Sequence, residues 1–432
     1  MYKSLEIIDY ADQKGIGRQG VLEKYRAQVP LILLVTMAVQ SAISLPVYGE
    51  WPLPINVQNS ILVALVANVL GLLSYRRLRL YPGTRRLAFI LPSFALSWSL
   101  AFAVIVAARI PYSSVQLGVG FASALGLALL LNAWNRRPDM APFLVVPSKR
   151  VNTILAELPD LHYKYCRSVK DIDAAQSAIV ADLHADLPAE WENALAQAAL
   201  RGNPIYHVKQ VGESLTGRVQ IEHLSENSLG SLAPDSSYAF SKEVVERTLA
   251  LIVLIISAPI LLLAAIAIRI DSPGPSLFRQ TRIGYRGKPF TICKLRTMSH
   301  AKGPRTREDD VTLDNDPRIT RLGKFLRSSR LDEIPQLINV VRGEMSLIGP
   351  RPETERLSHW YAESIDFYAY RHIVLPGITG WAQVKQGHVA SQEDVMRKLQ
   401  YDFYYIKNFS LWLDVVIVLK TIKVMLLKLG AK

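Results

Sequence analysis

Cysteine is almost missing from this 432-residue chain, which contains only Cys166 and Cys293. Two distant thiols give no disulfide framework, no zinc-ligand spacing and no redox pair, so the sequence predicts reduced thiols. Glycine is missing where a dinucleotide site would need it. Residues 143–225 read as a small α/β unit: a buried strand Phe143-Leu-Val-Val146, a helix around Arg150–Leu158, a strand Ala178-Ile-Val-Ala181 and a helix around Glu190–Arg201. The first turn is Pro147-Ser148-Lys149-Arg150, with no Gly-x-Gly to approach a pyrophosphate. A structural or regulatory module is expected there. The first 29 residues mix charges throughout, and no cleavable signal peptide is expected.

Charge is absent from long stretches. Four apolar segments, about 30–48, 55–75, 87–108 and 112–134, each approach the roughly 20 residues that cross a bilayer core. None contains an acidic residue, which argues against a reaction centre between transmembrane helices. Basic residues crowd one side: Arg76, Arg77, Arg79, Arg85 and Arg86 in one loop, Arg136 and Arg137 after the fourth segment. Glu50 and Arg109 lie in the opposite loops. The positive-inside rule then puts the N-terminus, the Arg-rich loop and everything after residue 135 in the cytoplasm.

Acidic residues are outnumbered, 37 against 50 Lys and Arg, leaving a formal charge of +13. The basic residues cluster beside membrane segments, which favours lipid headgroups and phosphorylated substrates over nucleic acid. A fifth uncharged run, Thr248 to Ile268, is long enough to cross, but a crossing would carry a basic C-terminal third outside. Pro259, preceded by Ser257-Ala258, sits at its midpoint, and Lys242, Arg247 and Arg269 flank both ends. Proline removes a helix hydrogen bond and kinks the chain, and a serine hydroxyl can satisfy a freed carbonyl. A broken, re-entrant helix at about 244–270 is expected, entering and leaving on the cytoplasmic face.

Downstream, Asp316-Pro317 is expected to open an amphipathic helix with a basic side formed by Arg318, Arg321, Lys324 and Arg327. A second helix is expected from Asp332, with Ile334, Leu337, Ile338 and Val341 as its apolar stripe and Gly343 to end it. Asp332 and Glu333 then sit at a helix N-terminus, where the dipole keeps carboxylates ionised. Such a pair is a helix cap on its own. It can also supply a nucleophile and a ligand for Mg²⁺. Pro350-Arg351-Pro352 favours the chemistry, because two prolines fix the backbone that aims one guanidinium. The basic turn Arg282-Ile-Gly-Tyr-Arg-Gly-Lys288 leads to Lys294-Leu-Arg296 on a strand, with a surface hairpin as the alternative. Pro376-Gly-Ile-Thr-Gly380 is expected to turn into a strand bearing Trp381, able to bind a nucleobase or merely to fold. Residues 411–423 read as an interfacial helix anchored by Trp412.

Taken together, Asp271-Ser-Pro-Gly-Pro275, Lys294-Leu-Arg-Thr-Met298, Leu331-Asp-Glu-Ile-Pro-Gln-Leu337, Met345-Ser-Leu-Ile-Gly-Pro-Arg-Pro352 and Pro376-Gly-Ile-Thr-Gly-Trp-Ala-Gln-Val384 resemble the bacterial sugar transferases, the polyprenol-phosphate hexose-1-phosphate transferases. The four spans and the α/β module resemble the large form of that family. The resemblance implies Asp332 as aspartyl nucleophile and Glu333 as metal-binding partner for Mg²⁺, with Mn²⁺ as a substitute. It implies Arg327, Arg351, Lys294, Arg296 and Arg282 on the substrate phosphates, and a re-entrant helix broken at Ser257 and Pro259. It further implies a UDP-sugar donor, an undecaprenyl phosphate acceptor, initiation of exopolysaccharide, capsule or O-antigen, a homodimer, and a place in the bacterial inner membrane. Two positions depart from the family pattern: Ser257-Ala258-Pro259 stands for its Ser-Pro, and Val245-Glu246 for its Phe-Asp.

The expected fold is a membrane α-helical N-terminal bundle, a small α/β cytoplasmic module and a mostly α-helical (α+β) monotopic catalytic domain with a re-entrant helix. The expected boundaries are 1–29 for a cytoplasmic segment, 30–135 for four transmembrane helices, 136–225 for the module, 226–241 for a linker and 242–432 for the catalytic domain.

Overall fold

A computed structural model describes residues 25–49, 52–78, 86–134, 143–158, 161–175, 177–219, 236–299, 316, 318–386 and 392–426. Glu50, Arg79, Arg85, Arg136, Arg137, Pro317 and residues 226–235, on which several expectations rest, lie outside the described residues. The chain forms two compact units, Met1–Gly217 and Arg218–Lys432.

The first unit begins with four apolar helices: α1 (Tyr25–Tyr48), α2 (Ile55–Leu78), α3 (Arg86–Ala107) and α4 (Ser114–Trp134). All four are long and apolar enough to cross a membrane. Leucines and valines on their outer faces are exposed, while Ala64, Ala67, Phe94, Trp98 and Ala124 form the contact between them. Lipid tails give no hydrophobic drive for helices to associate, so polar ties carry the specificity. Asn68 supplies one, accepting from Trp98 Nε1 at 3.0 Å and donating to Thr36 Oγ1 at 3.3 Å. Gln116 Nε2 supplies another, donating to Ser44 Oγ at 2.8 Å.

The same unit holds a four-stranded parallel sheet, in the order β2-β1-β3-β4, from β1 (Phe143–Val145), β2 (Tyr163–Tyr165), β3 (Ile179–Ala181) and β4 (Ile205–His207). Helices α5 (Lys149–Ala156), α6 (Val169–Asp173), α7 (Ala189–Leu200) and α8 (Val208–Thr216) connect or follow the strands. Ile179, Val180 and Ala181 are buried on both faces, as a central parallel strand requires. The second and fourth strands escaped the sequence reading because Tyr163-Lys-Tyr165 and Ile205-Tyr-His207 lack a long apolar run.

The second unit opens with α9 (Ser236–Asp271), 36 residues long and about 54 Å at 1.5 Å per residue. The chain stays helical across Ser257 and Pro259, so the expected break is not an interruption of the helix. Ser257 Oγ donates to the Leu254 carbonyl at 3.2 Å, one turn before the proline. Two stretches of one helical stripe are covered by the rest of the unit. Ala250 and Leu254 pack on Leu337, Val340 and Met345, while Leu261, Ala264 and Ile268 pack on Leu295, Leu322 and Leu326. The remaining faces expose Val245, Ile252, Ile256, Leu262, Leu263 and Ile266.

An antiparallel hairpin follows, β5 (Leu277–Ile283) and β6 (Pro289–Leu295), turning through Tyr285–Gly287. Helix α10 (Arg321–Ser328) starts later than Asp316-Pro317 suggested. Thr320 is its cap, accepting from Gly323 N at 2.9 Å. Asp316 is instead clamped by Arg318, with Nη2 2.6 Å from Oδ2, so its carboxylate is taken. A 3₁₀ turn at Leu331–Gln336 runs into α11 (Leu337–Val341), and Gly343 ends that segment at φ +77°. The parallel pair β7 (Ser346–Ile348) and β8 (Gly377–Thr379) flanks α12 (Glu355–Ser364). Helices α13 (Trp381–Gln386), α14 (Gln392–Lys407) and α15 (Leu411–Leu426) complete the unit.

Trp381 therefore opens a helix and not a strand. It is 1% exposed and stacked on Tyr404 at 5.7 Å, with Lys385 and Lys420 over its ring at 4.9 and 5.7 Å. Its faces are occupied by the protein's own groups, which removes it as a nucleobase platform.

Candidate active site

Three segments distant in sequence converge on the two adjacent acids. Arg330 adopts a left-handed conformation at φ 58° and starts the 3₁₀ turn, and this puts Asp332 and Glu333 in its first turn, facing inward. The strand β6 brings Lys294, and the segment after β7 brings Arg351. Glu333 Oε1 accepts from Lys294 Nζ at 3.0 Å and from Arg351 Nη2 at 2.9 Å, while Oε2 accepts from Arg330 Nη1 at 3.3 Å. Burial works to raise the Glu333 carboxyl, but Arg351, Lys294 and Arg330 outweigh it and hold the group well below the usual carboxylate range.

Asp332 is placed differently. Its carboxylate is 8% exposed as a residue, and Oδ1 is buried with no hydrogen-bond partner. Burial and the neighbouring Glu333 charge push its pKa up, against Lys294, Arg327 and Arg330. The sequence suggested that one helix dipole treats both acids alike. Direct ion pairs decide instead, and only Glu333 has them. Lys294 is lowered to about 8 by burial and by the Arg351 charge, with Glu333 opposing.

The remaining sequence candidates separate into two groups. Arg327 lies near the dyad, its Nε donating to Thr297 Oγ1 at 2.9 Å and its charge acting on Asp332. Gly323 lets this helix approach: a Cβ there would sit 2.0 Å from the Thr297 carbonyl. Arg282 and Arg296 donate to backbone carbonyls, and each also to one side-chain oxygen, of Gln280 and Ser272 respectively. Arg282 Nη1 donates to Pro352 O at 2.8 Å. Arg296 Nη2 donates to Ser272 O at 2.6 Å and Ile268 O at 3.3 Å, and Nη1 to Pro273 O at 2.9 Å. Arg296 thus caps the C-terminus of α9, where a cation is favoured.

Sequence reasoning missed two residues. Arg330 stands three residues before Glu333, a spacing that could have identified it. Arg371, fully buried, donates to the Arg351 carbonyl at 2.8 Å and pairs with Asp402 at 2.8 Å. No local signal pointed to that role, because its partners come from two other segments.

The other end of α9 is tied as firmly. Lys242 pairs with Asp414 at 2.6 Å and with Glu246, and Glu246 Oε2 accepts from Leu347 N at 2.9 Å. Glu246 thus grips β7, three residues before Pro350-Arg351-Pro352.

A carboxylate with a free oxygen beside a cation-saturated one can attack an electrophilic phosphorus whose charge the arginines offset. Residues 237–428 match the family described as Bacterial sugar transferase. An Aeromonas hydrophila protein named UDP-N-acetylgalactosamine-undecaprenyl-phosphate N-acetylgalactosaminephosphotransferase is 40% identical over 369 residues, covering 84% of this chain and 85% of that protein. A Caulobacter vibrioides protein named UDP-glucose:undecaprenyl-phosphate glucose-1-phosphate transferase is 44% identical over 199 residues, 45% of this chain and 72% of its own. An Escherichia coli protein of the same name is 40% identical over 187 residues, 42% of this chain and 39% of its own. The chain is a membrane-associated transferase, and it belongs to the bacterial sugar transferase family.

Proposed function

We propose that this enzyme moves a sugar-1-phosphate from a UDP-sugar to undecaprenyl phosphate and releases UMP, through a phosphosugar held covalently on Asp332. The observation that carries this reading is the buried, unpartnered Asp332 Oδ1 beside a glutamate already neutralised by three cations. Burial makes Asp332 more basic than an ordinary carboxylate, hence a better nucleophile once ionised. Lys294, Arg327 and Arg330 oppose that rise and favour the anion.

In the first step an Asp332 oxygen bonds to the β-phosphorus, the bond from that phosphorus to the α-phosphate oxygen breaks, and UMP leaves with the electron pair. In the second, an oxygen of undecaprenyl phosphate bonds to the same phosphorus and the aspartyl oxygen departs. The product is undecaprenyl diphosphate-sugar, and Asp332 is regenerated. Arg351, Lys294 and Arg327 offset charge on the transferring group, where phosphoryl-transfer enzymes gain most of their rate. Mg²⁺ or Mn²⁺ would be held by Glu333 in exchange for one of its cationic partners, Lys294, Arg351 or Arg330, and would supply positive charge to the diphosphate.

The helix α9 supports a monotopic, re-entrant arrangement on the cytoplasmic face of the inner membrane. Its two ends are bound by one body, Glu246 to β7 and the Ile268 carbonyl to Arg296, while apolar side chains on its uncovered faces, among them Ile252, Ile256, Leu262 and Leu263, are exposed. A soluble donor and a lipid-borne acceptor meet at such a surface. The product would begin a surface polysaccharide.

The test is a panel of UDP-sugars with undecaprenyl phosphate and the purified chain. UDP-N-acetylgalactosamine comes first, since the Aeromonas relative is named for it. The expected products are UMP and undecaprenyl diphosphate-sugar in equal amounts. Release of UDP would mean transfer of the sugar without its phosphate and would contradict the reading.

A further inference from the structure

The C-terminal edge of the parallel sheet carries a cluster that the transfer reaction does not use. Strands β3 and β4 pair with Ala181 opposite His207, so Asp182, the residue after β3, and His207, the last of β4, emerge side by side. A tight turn returns His184 to the same place: its backbone N–H donates to Asp182 Oδ1 at 3.2 Å. His184 Nδ1 then lies 2.8 Å from His207 Nε2, and His207 Nε2 lies 3.9 Å from Asp182 Oδ1. Each residue offers one ligand atom, and all three atoms lie within 4.8 Å of one another.

These separations suit one ion. Tetrahedral zinc with bonds of about 2.0–2.1 Å sets its ligand atoms roughly 3.3 Å apart. The observed 2.8 and 3.9 Å fall on either side of that value, so small rotations of the two rings would close the shell. Two imidazole nitrogens and one carboxylate form a borderline donor set, suited to Zn²⁺ or Co²⁺ and not to Mg²⁺ or Ca²⁺, which prefer oxygen alone.

Burial is graded in the way a ligand site needs. Asp182 and His207 are 5% and 7% exposed, fixed from within, whereas His184 is exposed and leaves an entry from solvent. The outer C-terminal edge of a parallel sheet is also where open α/β folds bind their ligands. Among the described residues this is the one group of three or more His, Cys, Asp and Glu side chains arranged to hold an ion.

We propose that Asp182, His184 and His207 bind a divalent cation of the Zn²⁺ class, with three protein ligands and a fourth position open. A site of that kind gives the α/β module a ligand-dependent role of its own, separate from the dyad. A bare histidine–histidine hydrogen bond steadied by Asp182 is the competing account of the same distances.

Cobalt distinguishes the two. The full chain in detergent, stripped with chelator and dialysed, is titrated with Co²⁺ and followed in the visible range. The expected result is the d–d absorption of a four-coordinate cobalt, displaced by Zn²⁺. His184→Ala, at an exposed side chain, and Asp182→Asn should each weaken binding at least about tenfold, since even outer-shell partners of metal ligands are worth 10–100-fold. Glu333→Gln should leave the bands unchanged, which separates this site from the dyad. Absence of the bands in the wild-type chain, or bands undiminished in both module variants, would overturn the proposal.

Discussion

Arg371 Nη2 donates to the backbone carbonyl of Arg351 at 2.8 Å, so one buried guanidinium fixes the segment from which another reaches Glu333. The two prolines around Arg351 restrict its backbone, and Arg371 and Arg282 hold its outer carbonyls. Arg371→Lys keeps the charge but loses the planar fork that serves Arg351, Asp402 and Tyr368 together. Turnover is expected to fall while donor binding changes little. A variant with wild-type kcat would remove Arg371 from this role.

Arg351→Ala removes a charge-assisted hydrogen bond from a buried carboxylate. Such bonds contribute about 1.5–3 kcal/mol, or roughly 10- to 150-fold in rate if the interaction persists into the transition state. Lys294 and Arg330 remain on Glu333, so the fold should survive. Steady-state kinetics beside a thermal melt measure both parts, and a variant that loses stability but not kcat/KM would make Arg351 purely structural.

Lys294 gives the reaction a basic limb. Its pKa is lowered to about 8 from the ordinary 10.5. Between these values the unfolded chain holds the extra proton, so stability rises with pH across that window and the cost is constant below it. Activity runs the other way, because the cation on Glu333 is lost as pH rises through about 8. Lys294→Arg keeps the charge, and the limb should move upward. A limb that stays near pH 8 in this variant belongs to another group.

Asp332 carries a stability cost of the opposite kind. Its raised pKa means that the folded state holds the proton more tightly, so stability falls as pH rises from the ordinary carboxylate range through the folded value. Once ionised, the buried carboxylate is destabilising. Asp332→Asn should therefore raise the melting temperature while lowering turnover on the order of 10⁴-fold or more. A lower melting temperature would contradict the burial argument.

Part of this architecture was legible in the sequence. The uncharged run Thr248 to Ile268 made a helix legible, whereas its covered stripe of Ala250, Leu254, Leu261, Ala264 and Ile268 emerges only from packing on Leu337, Val340, Leu295 and Leu326. A helix from Asp332 to Gly343 was read from Pro335 and the apolar spacing; its end at Gly343 holds, but its first turn, Leu331–Gln336, is 3₁₀. The internal hydrogen bonds of Arg282 and Arg296 were not legible in the sequence, for a physical reason. A basic residue near a phosphate motif looks the same whether its guanidinium meets phosphate or backbone carbonyls, and only the fold brings the end of α9 to Arg296. Trp381 was misread because its burial depends on Tyr404, a residue 23 positions away.

Cysteines at Phe240 and Ile270, 71% and 82% exposed, examine the course of α9. Cys166 and Cys293 are buried, so the introduced thiols should dominate labelling. Both should react with an impermeant reagent from one side of sealed vesicles. Reaction from opposite sides would make the helix a fifth crossing.

The most direct test of the central claim is to trap the enzyme with a UDP-sugar in the absence of undecaprenyl phosphate and to map the modified peptide by mass spectrometry. The account predicts one sugar-phosphate on Asp332, formed together with UMP, discharged by added undecaprenyl phosphate and absent in Asp332→Asn. An adduct on another residue, or turnover at the wild-type rate in Asp332→Asn, would contradict it.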